Sequence, residues 1–322
     1  MKQVVVTGHG GPECLSIEDG AAPEPGRNEV LVKVRAAGLN YADIMMRKGL
    51  YPGAPEPPFV AGFELAGVIE KTGPGVEGWR PGDGVMALAS HAFAEYAVVP
   101  VERLLQKPNQ VDYAHAAALP CQYLTAYHAL KTLAGVQAGE HVLIHAAAGG
   151  LGVMLVQIAK QAGAIVIGTC SSEAKCELIR ELGCDHPINY LEADFEEEVK
   201  AITGGEGVGL IAESVGGEVF DKSMRCLKTR GRLIVIGAAS GDVRSISAVE
   251  LLFGNHTVSG FHLFAYLEDD LAMANAMDDL YAWLASDVLR VTVGHTFPLD
   301  KATEAQELMA ARKTSGKVVF EL

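Results

Sequence analysis

A glycine-rich turn between an apolar strand and a helix constrains the fold of this chain more than any other feature. Residues 141–145 (HVLIH) read as a short apolar strand, and a predicted helix covers 152–162. Between them, Ala146, Gly149 and Gly152 have the spacing of a dinucleotide-binding fingerprint, with alanine in place of the usual first glycine. Gly149 would let the backbone approach a pyrophosphate, and Gly152 would let the helix pack closely on the strand. We expect the loop to bind phosphate through Ala148, Gly149, Gly150, Leu151 and Gly152. The alternative is a small-residue turn without a ligand.

The segment around this turn alternates between strands and helices. Predicted strands cover 164–169, 208–212 and 232–237, and predicted helices cover 172–182, 194–202 and 219–227. Such alternation requires right-handed crossovers, and it predicts an α/β fold with a doubly wound parallel sheet of the Rossmann type.

The end of the second predicted strand bears on which nicotinamide cofactor is bound. Proteins that bind NAD place an acidic residue there, about 20 positions after the glycine loop, to hold the ribose 2′-hydroxyl. Here the strand ends in Ser171 and Ser172, with Lys175 close behind. Two hydroxyls and an ammonium suit a 2′-phosphate, so we expect NADPH. The alternative is that the serines cap the helix, and both roles can coexist.

The first 118 residues have a different pattern, with alternating strands such as 29–35, dense Pro-Gly turns and one short helix over 41–48. A chain of 322 residues fits two domains. At the C-terminal end we predict helices over 267–286 and 300–312 and strands over 291–297 and 317–321. Residues 255–263 read as an edge strand of the parallel sheet, open for pairing with a second copy unless the helix over 267–286 covers it.

Composition excludes several classes of function. The 26 Lys and Arg against 40 Asp and Glu give a net charge of −14, which argues against a nucleic-acid binder. The six cysteines form no CxxC pair, and their spacings match no common zinc site. No uncharged apolar stretch is long enough to span a bilayer, and the N-terminus lacks a long apolar run. We therefore expect a protein of the reducing cytoplasm, without a membrane segment.

Several segments resemble the medium-chain dehydrogenase/reductase superfamily in its zinc-free quinone oxidoreductase branch. They are residues 38–51 (GLNYADIMMRKGLY), 62–67 (GFELAG), 122–130 (QYLTAYHAL), the glycine loop and 312–317 (RKTSGK). Within this branch, 185–190 (DHPINY) and 259–263 (SGFHL) resemble the vesicle amine transport protein group. The resemblance implies a discontinuous GroES-like catalytic domain (1–121 and 265–322), a Rossmann cofactor domain (122–264) and a homodimer joined through the edge strand.

The departures from the zinc-dependent members of this superfamily are informative. Those enzymes have a cysteine where this chain has Asn40, and a histidine where it has Phe63. With two of the three usual protein ligands absent, we expect no metal.

Other polar residues must then act on the substrate, and the resemblance places Asn40 and Tyr51 beside the nicotinamide. We expect Asn40, Tyr51 and Asp43 to be the catalytic set. The alternatives are a helix N-cap for Asn40, a surface aromatic for Tyr51 and structural hydrogen bonding for Glu64. A histidine on an apolar strand, such as His145, is more often structural.

The resemblance also assigns residues to the cofactor beyond the glycine loop and the two serines with Lys175. They are Thr125, Tyr190, Ser214, Ile236, Gly237, Phe261, His262, Leu263 and Lys317. For Lys317 a solvated charge at a strand start is the alternative. The expected activity is hydride transfer from NADPH to a quinone or an α,β-unsaturated carbonyl. The alternatives are reduction of 2-enoyl thioesters, or a protein that binds NADPH and acts by interaction.

Overall fold

The structure, a computed structural model, describes residues 1–322 and divides into two compact units. The first unit contains Met1–Cys121 and Val291–Leu322, and the second contains Gln122–Arg290. No helix combines the length and the apolar character that crossing a lipid bilayer requires.

Sixteen strands are formed along the chain. They are β1 Lys2–Val6, β2 Leu15–Asp19, β3 Glu29–Leu39, β4 Phe59–Val60, β5 Glu64–Thr72, β6 Gly84–Leu88, β7 Tyr96–Pro100, β8 Leu104–Gln106, β9 His141–Ile144, β10 Ile165–Cys170, β11 His186–Asn189, β12 Val208–Glu213, β13 Leu227–Val235, β14 Thr257–Gly260, β15 Val293–Pro298 and β16 Lys317–Glu321.

Ten α-helices accompany these strands, with a π-helical turn at His128–Leu133. They are α1 Tyr41–Arg47, α2 Tyr113–Ala116, α3 Pro120–Tyr127, α4 Gly150–Gln161, α5 Glu173–Glu181, α6 Phe195–Ile202, α7 Gly217–Cys226, α8 Ala248–Gly254, α9 Asp270–Ala285 and α10 Ala302–Ala310.

The second unit is built on a six-stranded parallel sheet in the order β11-β10-β9-β12-β13-β14. The chain runs outward from β9 to β11 and then restarts at β12 in the other direction, which confirms the predicted doubly wound sheet. The strands at the centre are apolar along their length because both faces of a doubly wound sheet are covered by helices. Every residue of β12 is accordingly buried.

The first unit is β-rich, as predicted. Its larger sheet has the order β15-β16-β3-β5-β6-β8, with β7 paired to β3, and a smaller sheet has the order β2-β1-β4. Strand β3 is the longest in the molecule and pairs antiparallel with both β16 and β5. The C-terminal strand is thereby built into the sheet formed by the N-terminal part of the chain.

The two compact units divide after Cys121 and after Arg290. The catalytic domain expected from the sequence resumes at 265, within the second compact unit, and the boundaries of the functional domains stay a prediction. Helix α9 belongs to the second unit because the hydroxyl of Tyr123 donates to the carbonyl of Ala276, and Tyr127 donates to the carboxylate of Asp279. Contacts between residues this far apart in the sequence cannot be recognised from the local hydrophobic periodicity that predicts a helix.

Candidate functional site

The predicted cofactor residues of the second unit follow the carboxyl ends of its parallel strands. In such sheets, ligands bind outside this edge, where the strand order reverses. Here the reversal lies between β9 and β12, which are hydrogen-bonded neighbours. The residues that follow these strands are the glycine loop, Ser171, Ser172 and Lys175 after β10, Tyr190 after β11, Ser214 after β12, Ile236 and Gly237 after β13, and Phe261, His262 and Leu263 after β14.

The glycine loop has the form that a pyrophosphate requires. No side chain caps the N-terminus of α4, so its first backbone N–H groups are left for an anion. A Cβ on Gly149 would have one close neighbour in the protein, the carbonyl oxygen of Ala146 at 3.3 Å, so the fold demands only a small adjustment there. A Cβ on Gly152 would lie 2.3 Å from that same carbonyl oxygen, so Gly152 serves the packing of α4 on the turn. The loop therefore fits a dinucleotide.

The turn after β10 places three polar side chains together. Ser172 is the N-cap of α5, where its hydroxyl accepts the N–H of Lys175 at 3.3 Å. The ammonium of Lys175 lies 3.3 Å from the hydroxyl of Ser171, and burial lowers its pKa. Tyr190 adjoins the turn because its N–H donates to the carbonyl of Cys170. Ser172 therefore caps α5. The ammonium of Lys175 and the hydroxyl of Ser171 lie at the end of β10, where an NAD-binding protein has a carboxylate.

The remaining predicted residues are held close to their strands. The N–H of Ile236 donates to the carbonyl of Glu213, and a Cβ on Gly237 would lie 3.3 Å from the carbonyl of Ser214. The N–H of Phe261 donates to the carbonyl of Val235, and the ring of Phe261 stacks on Tyr266. Leu263 is buried, and the ring of His262 packs on Phe264. Thr125 is buried on α3, and its contact with a cofactor stays a prediction.

Sequence reasoning missed Glu213, the last residue of β12. It is fully buried, and its Oε1 accepts the N–H groups of Val215 and Gly216 at 2.7 and 2.9 Å. Its Oε2 has no partner, and burial raises its pKa. The sequence does contain a signal for this residue, because Glu213 ends an otherwise apolar strand shortly before the pair Gly216-Gly217.

In the first unit, strand register brings together a charged cluster from three distant parts of the chain. Pairing of β16 with β3 aligns Val318 with Leu39, which places Lys317 next to Asn40. Pairing of β3 with β5 aligns Ala37 with Leu65 and brings Glu64 to the same place. The Lys317 ammonium and the Glu64 carboxylate form an ion pair with side chains 3% and 0% exposed.

Asn40 is fixed within this cluster. Its Oδ1 accepts from the Lys317 ammonium at 2.7 Å, and its Nδ2 donates to Glu64 Oε1 at 2.6 Å. The other oxygen of Glu64 accepts the N–H of Cys121 at 2.9 Å. Gly38 makes the arrangement possible, since a Cβ there would lie 2.6 Å from Glu64 Oε1 and 2.7 Å from the Lys317 Cε. Lys317 is thus buried rather than solvated, and its contact with a cofactor stays a prediction.

Asp43 adjoins this cluster, and Tyr51 lies near enough for the charges of Asp43 and Cys121 to affect its pKa. Asn40 is the N-cap of α1, and its backbone N–H donates to Asp43 Oδ2 at 2.8 Å. Oδ1 of Asp43 makes no hydrogen bond, and burial raises the pKa of this carboxyl to about 7. Burial also raises the pKa of the half-buried Tyr51, and the charges of Cys121 and Asp43 add to this shift. The unit therefore holds both an acid that titrates near neutrality and a phenol that stays protonated.

Two of the histidines, His145 and His128, are buried among contacts that are typical of a structural role. Nε2 of His145 lies 2.8 Å from the Ser223 hydroxyl, and Nδ1 lies 3.0 Å from the Thr169 hydroxyl. Ser223 donates its own proton to the carbonyl of Val219, so it accepts from Nε2–H. Burial lowers the pKa of His145 to about 3, which leaves the ring neutral. His128 is fully buried, and its ring stacks on Tyr266.

Comparison with known proteins identifies matches to both units. The family described as alcohol dehydrogenase GroES-like domain matches residues 26–109, and the family described as zinc-binding dehydrogenase matches 150–280. The chain is 37% identical over 324 residues to the 2-haloacrylate reductase of a Burkholderia species, covering 98% of this chain and 97% of that one. It is 32% identical over 340 residues to the human synaptic vesicle membrane protein VAT-1 homolog, covering 99% and 86%.

A solved structure agrees with the whole chain. It is that of Escherichia coli quinone oxidoreductase complexed with NADPH, which superposes with a TM-score of 0.95. The two sequences are 32% identical, and the match covers 100% of each chain. Agreement over the full length means that both units have counterparts in that protein.

Proposed function

The chain belongs to the quinone oxidoreductase branch of the medium-chain dehydrogenase/reductase superfamily, and we propose that it is an NADPH-dependent reductase of quinones and α,β-unsaturated carbonyl compounds. Membership of this branch confirms the family predicted from the sequence segments. The observation that carries the proposal is the turn after β10, where Ser171 and Lys175 replace the carboxylate of NAD-binding proteins. An ammonium and a hydroxyl 3.3 Å apart form a ready site for a phosphate.

The second unit would hold the cofactor through residues with separate tasks. The N–H groups at the start of α4 bind the pyrophosphate, while Ser171 and Lys175 bind the 2′-phosphate. When bound, NADPH supplies the hydride. The residues after β12, β13 and β14 are the candidates for positioning the rest of the molecule.

The residues that correspond to the zinc ligands of related enzymes do not fit a catalytic zinc ion. Zinc in proteins is bound by cysteine, histidine and carboxylate groups. Here the amide of Asn40 and the ring of Phe63 replace two of them, and the one carboxylate, Glu64, is already paired with the Lys317 ammonium. We therefore propose a zinc-independent reaction. Lys317 supplies a fixed positive charge in the cluster, and no step depends on a metal.

Asp43 and Tyr51 are the proposed proton-handling groups. Reduction of a conjugated C=C bond adds a hydride to the β-carbon and a proton to the α-carbon, and negative charge develops on the carbonyl oxygen in between. A phenol that remains protonated at neutral pH can hydrogen-bond that oxygen. That phenol can then give its proton to the enolate, and an aspartic acid with a pKa of about 7 can replace the proton that the phenol has lost.

The acceptor is proposed to be an electron-poor double bond conjugated with a carbonyl group. Quinones and 2-haloacrylate, which related enzymes are named for, both contain such a bond. Reduction of 2-enoyl thioesters is the alternative within the same chemistry.

Steady-state assays with NADPH and NADH, each against a simple quinone, a 2-haloacrylate and a 2-enoyl thioester, test the proposal. We expect turnover with NADPH and one of the first two acceptors. Tyr51→Phe should lower kcat by roughly 100-fold or more, and Tyr96→Phe, on a strand of the same unit, should leave it unchanged. NADPH binding without turnover of any acceptor would indicate an interaction protein instead.

We also propose that the chain forms a homodimer and works in a reducing cytoplasm, where permanent structural disulfides are rare, in keeping with six cysteines that are all free thiols. Strand β14 has one strand neighbour, β13, so its other edge is open. The adjoining α8 exposes Val249, Leu252 and Phe253 by 60%, 69% and 81%. An open strand edge flanked by apolar side chains suits pairing with the same edge of a second copy about a two-fold axis.

A further inference from the structure

Two buried cysteines face each other across the turn after β10. Cys170 is the last residue of β10, and Cys176 lies in the first turn of α5. Their Sγ atoms are 2.6 Å apart, and the residues are 3% and 2% exposed. A disulfide bond is about 2.05 Å long, so these sulfur atoms are already closer to bonding distance than to an ordinary non-bonded contact.

The thiols belong to the same turn as the proposed phosphate site. Cys170 directly precedes Ser171, and Cys176 directly follows Lys175. The Cys170 Sγ lies 3.8 Å from the carbonyl oxygen of Ser172 and 3.7 Å from that of Ile188, and its single S–H can donate weakly to one of them at a time. Sulfur contacts therefore help to hold the backbone on which Ser171, Ser172 and Lys175 stand.

We propose that Cys170 and Cys176 are a redox-active dithiol, which a peroxide converts to a disulfide and which thereby lowers the affinity for NADPH. In the first step, the thiolate of one cysteine attacks the peroxide to give a sulfenic acid and hydroxide. In the second, the other thiol displaces the sulfenic hydroxyl, forms the S–S bond and releases water. In total, two thiols and one hydrogen peroxide give one disulfide and two waters. The effect on affinity rests on the proposed NADPH site, but formation of the disulfide does not.

The disulfide would weaken NADPH binding because it removes thiol contacts that hold the turn after β10. The oxidised pair has no S–H groups, so Cys170 can no longer donate to either backbone carbonyl, and the Sγ atoms must approach further. The first turn of α5 then shifts relative to β10, and the Lys175 ammonium moves relative to Ser171. NADH has no 2′-phosphate, so its binding should change less.

Burial sets the rate of this reaction. It raises the pKa of Cys170, so little reactive thiolate is present until the first turn of α5 opens. Bound NADPH would hold that turn closed. We therefore expect slow oxidation in the free protein and slower oxidation in the NADPH complex.

The sequence supplies a direct readout, because Lys175 separates the two cysteines. Trypsin cleavage after residues 160, 175 and 180 places Cys170 in peptide 161–175 and Cys176 in peptide 176–180. The reduced full-length protein is treated with hydrogen peroxide, freed of the excess, alkylated and digested. We expect the two peptides to be joined, to separate on reduction with dithiothreitol, and to be joined more slowly when NADPH is present. Cys176→Ala should abolish the linkage, and Cys226→Ala, which removes another buried thiol, should retain it.

Fluorescence titration of the same samples tests the consequence. We expect the oxidised wild-type protein to bind NADPH at least tenfold more weakly than the reduced one, with recovery after dithiothreitol. Alkylation of both cysteines after peroxide treatment would overturn the proposed disulfide. Linked peptides with unchanged NADPH affinity would overturn its regulatory effect. If the reduced protein does not bind NADPH, the proposed function fails instead, while the linked peptides still report the disulfide.

Discussion

The Lys317 ammonium donates a hydrogen bond to Oδ1 of Asn40 over 2.7 Å, although 277 positions separate the two residues. The same ammonium pairs with Glu64, so one cation links the last strand of the chain to β5 and to the residue that follows β3. A buried charge is tolerated only when it is compensated. The cluster therefore makes this part of the first unit depend on its own C-terminal strand.

Removal of the cation should destabilise the first unit strongly. Lys317→Met leaves Glu64 buried without its partner, which costs about 3–5 kcal/mol in the free energy of unfolding. The double variant Lys317→Met/Glu64→Gln should recover much of this loss. Lys200→Met breaks the pair between the exposed Lys200 and Glu196 and should cost far less, because water screens that charge. Urea unfolding of the four proteins measures these values, and equal losses for Lys317→Met and Lys200→Met would contradict the prediction.

The pH dependence of stability should report Asp43. In the folded protein its carboxyl keeps the proton up to about pH 7, whereas in the unfolded chain it ionises at about pH 4. Between these values the folded state binds more protons, so its stability falls as pH rises and levels off above about pH 7. Asp43→Asn should remove this contribution, and the exposed Asp287→Asn should not. The measurement is the urea midpoint across this pH range, and a wild-type slope that persists in Asp43→Asn would assign it to another group.

Activity should depend on the same carboxyl. If protonated Asp43 resupplies the proton, kcat/KM declines above about pH 7, and Asp43→Asn loses both this inflection and most of its activity. A reduced but still inflected profile in Asp43→Asn would show that another group is titrating.

The elements of the fold could be predicted because their signals are local. Apolar runs with turns between them gave the parallel sheet, and a glycine-spaced turn gave the position of α4. The division between the compact units at Val291 could not be predicted, because it depends on packing of α9 against Tyr123 and Tyr127.

The residues of the candidate site also fall into two groups, those that local sequence signals could predict and those that they could not. Ser171, Ser172 and Lys175 could be identified because they follow a strand at a recognisable distance from the glycine loop. The partners of Asn40 could not, since the register of β3 with β16 and β5 decides which side chains meet. Cys170 and Cys176 were missed for a related reason. Their spacing crosses from a strand into a helix and matches the period of neither.

Selectivity for NADPH should depend on Lys175. Lys175→Ala removes the ammonium that we expect to bind the 2′-phosphate, a charge-assisted contact of about 1.5–3 kcal/mol. The Kd for NADPH should rise by roughly tenfold to a hundredfold, and the Kd for NADH should change little. Lys228→Ala, which removes an exposed lysine at the start of β13, is the matched control. Equal weakening of both cofactors in Lys175→Ala would place the 2′-phosphate elsewhere.

The two glycines at the start of α4 should separate binding from folding. Gly149→Val should abolish NADPH binding while the protein stays folded, because its Cβ has a single close neighbour, the Ala146 carbonyl at 3.3 Å, and the branched side chain would occupy the place of the pyrophosphate. Gly152→Val should disrupt the fold, since its Cβ would lie 2.5 Å from backbone atoms of Ala147. Circular dichroism and cofactor titration distinguish the two outcomes. Unchanged NADPH affinity in Gly149→Val would mean that the loop is only a turn.

Assembly should depend on the open edge of the parallel sheet. Phe253→Asp places a charge in the exposed apolar patch on α8, and Val258→Pro removes a backbone donor from β14. If two copies pair through this edge, light scattering should show a dimer for the wild type and a shift towards monomer for both variants. Leu191→Asp changes a leucine that is 72% exposed near β11, at the opposite edge of the sheet, and should leave the dimer intact. A wild-type monomer at micromolar concentration, or a dimer unaffected by both variants, would exclude pairing through β14.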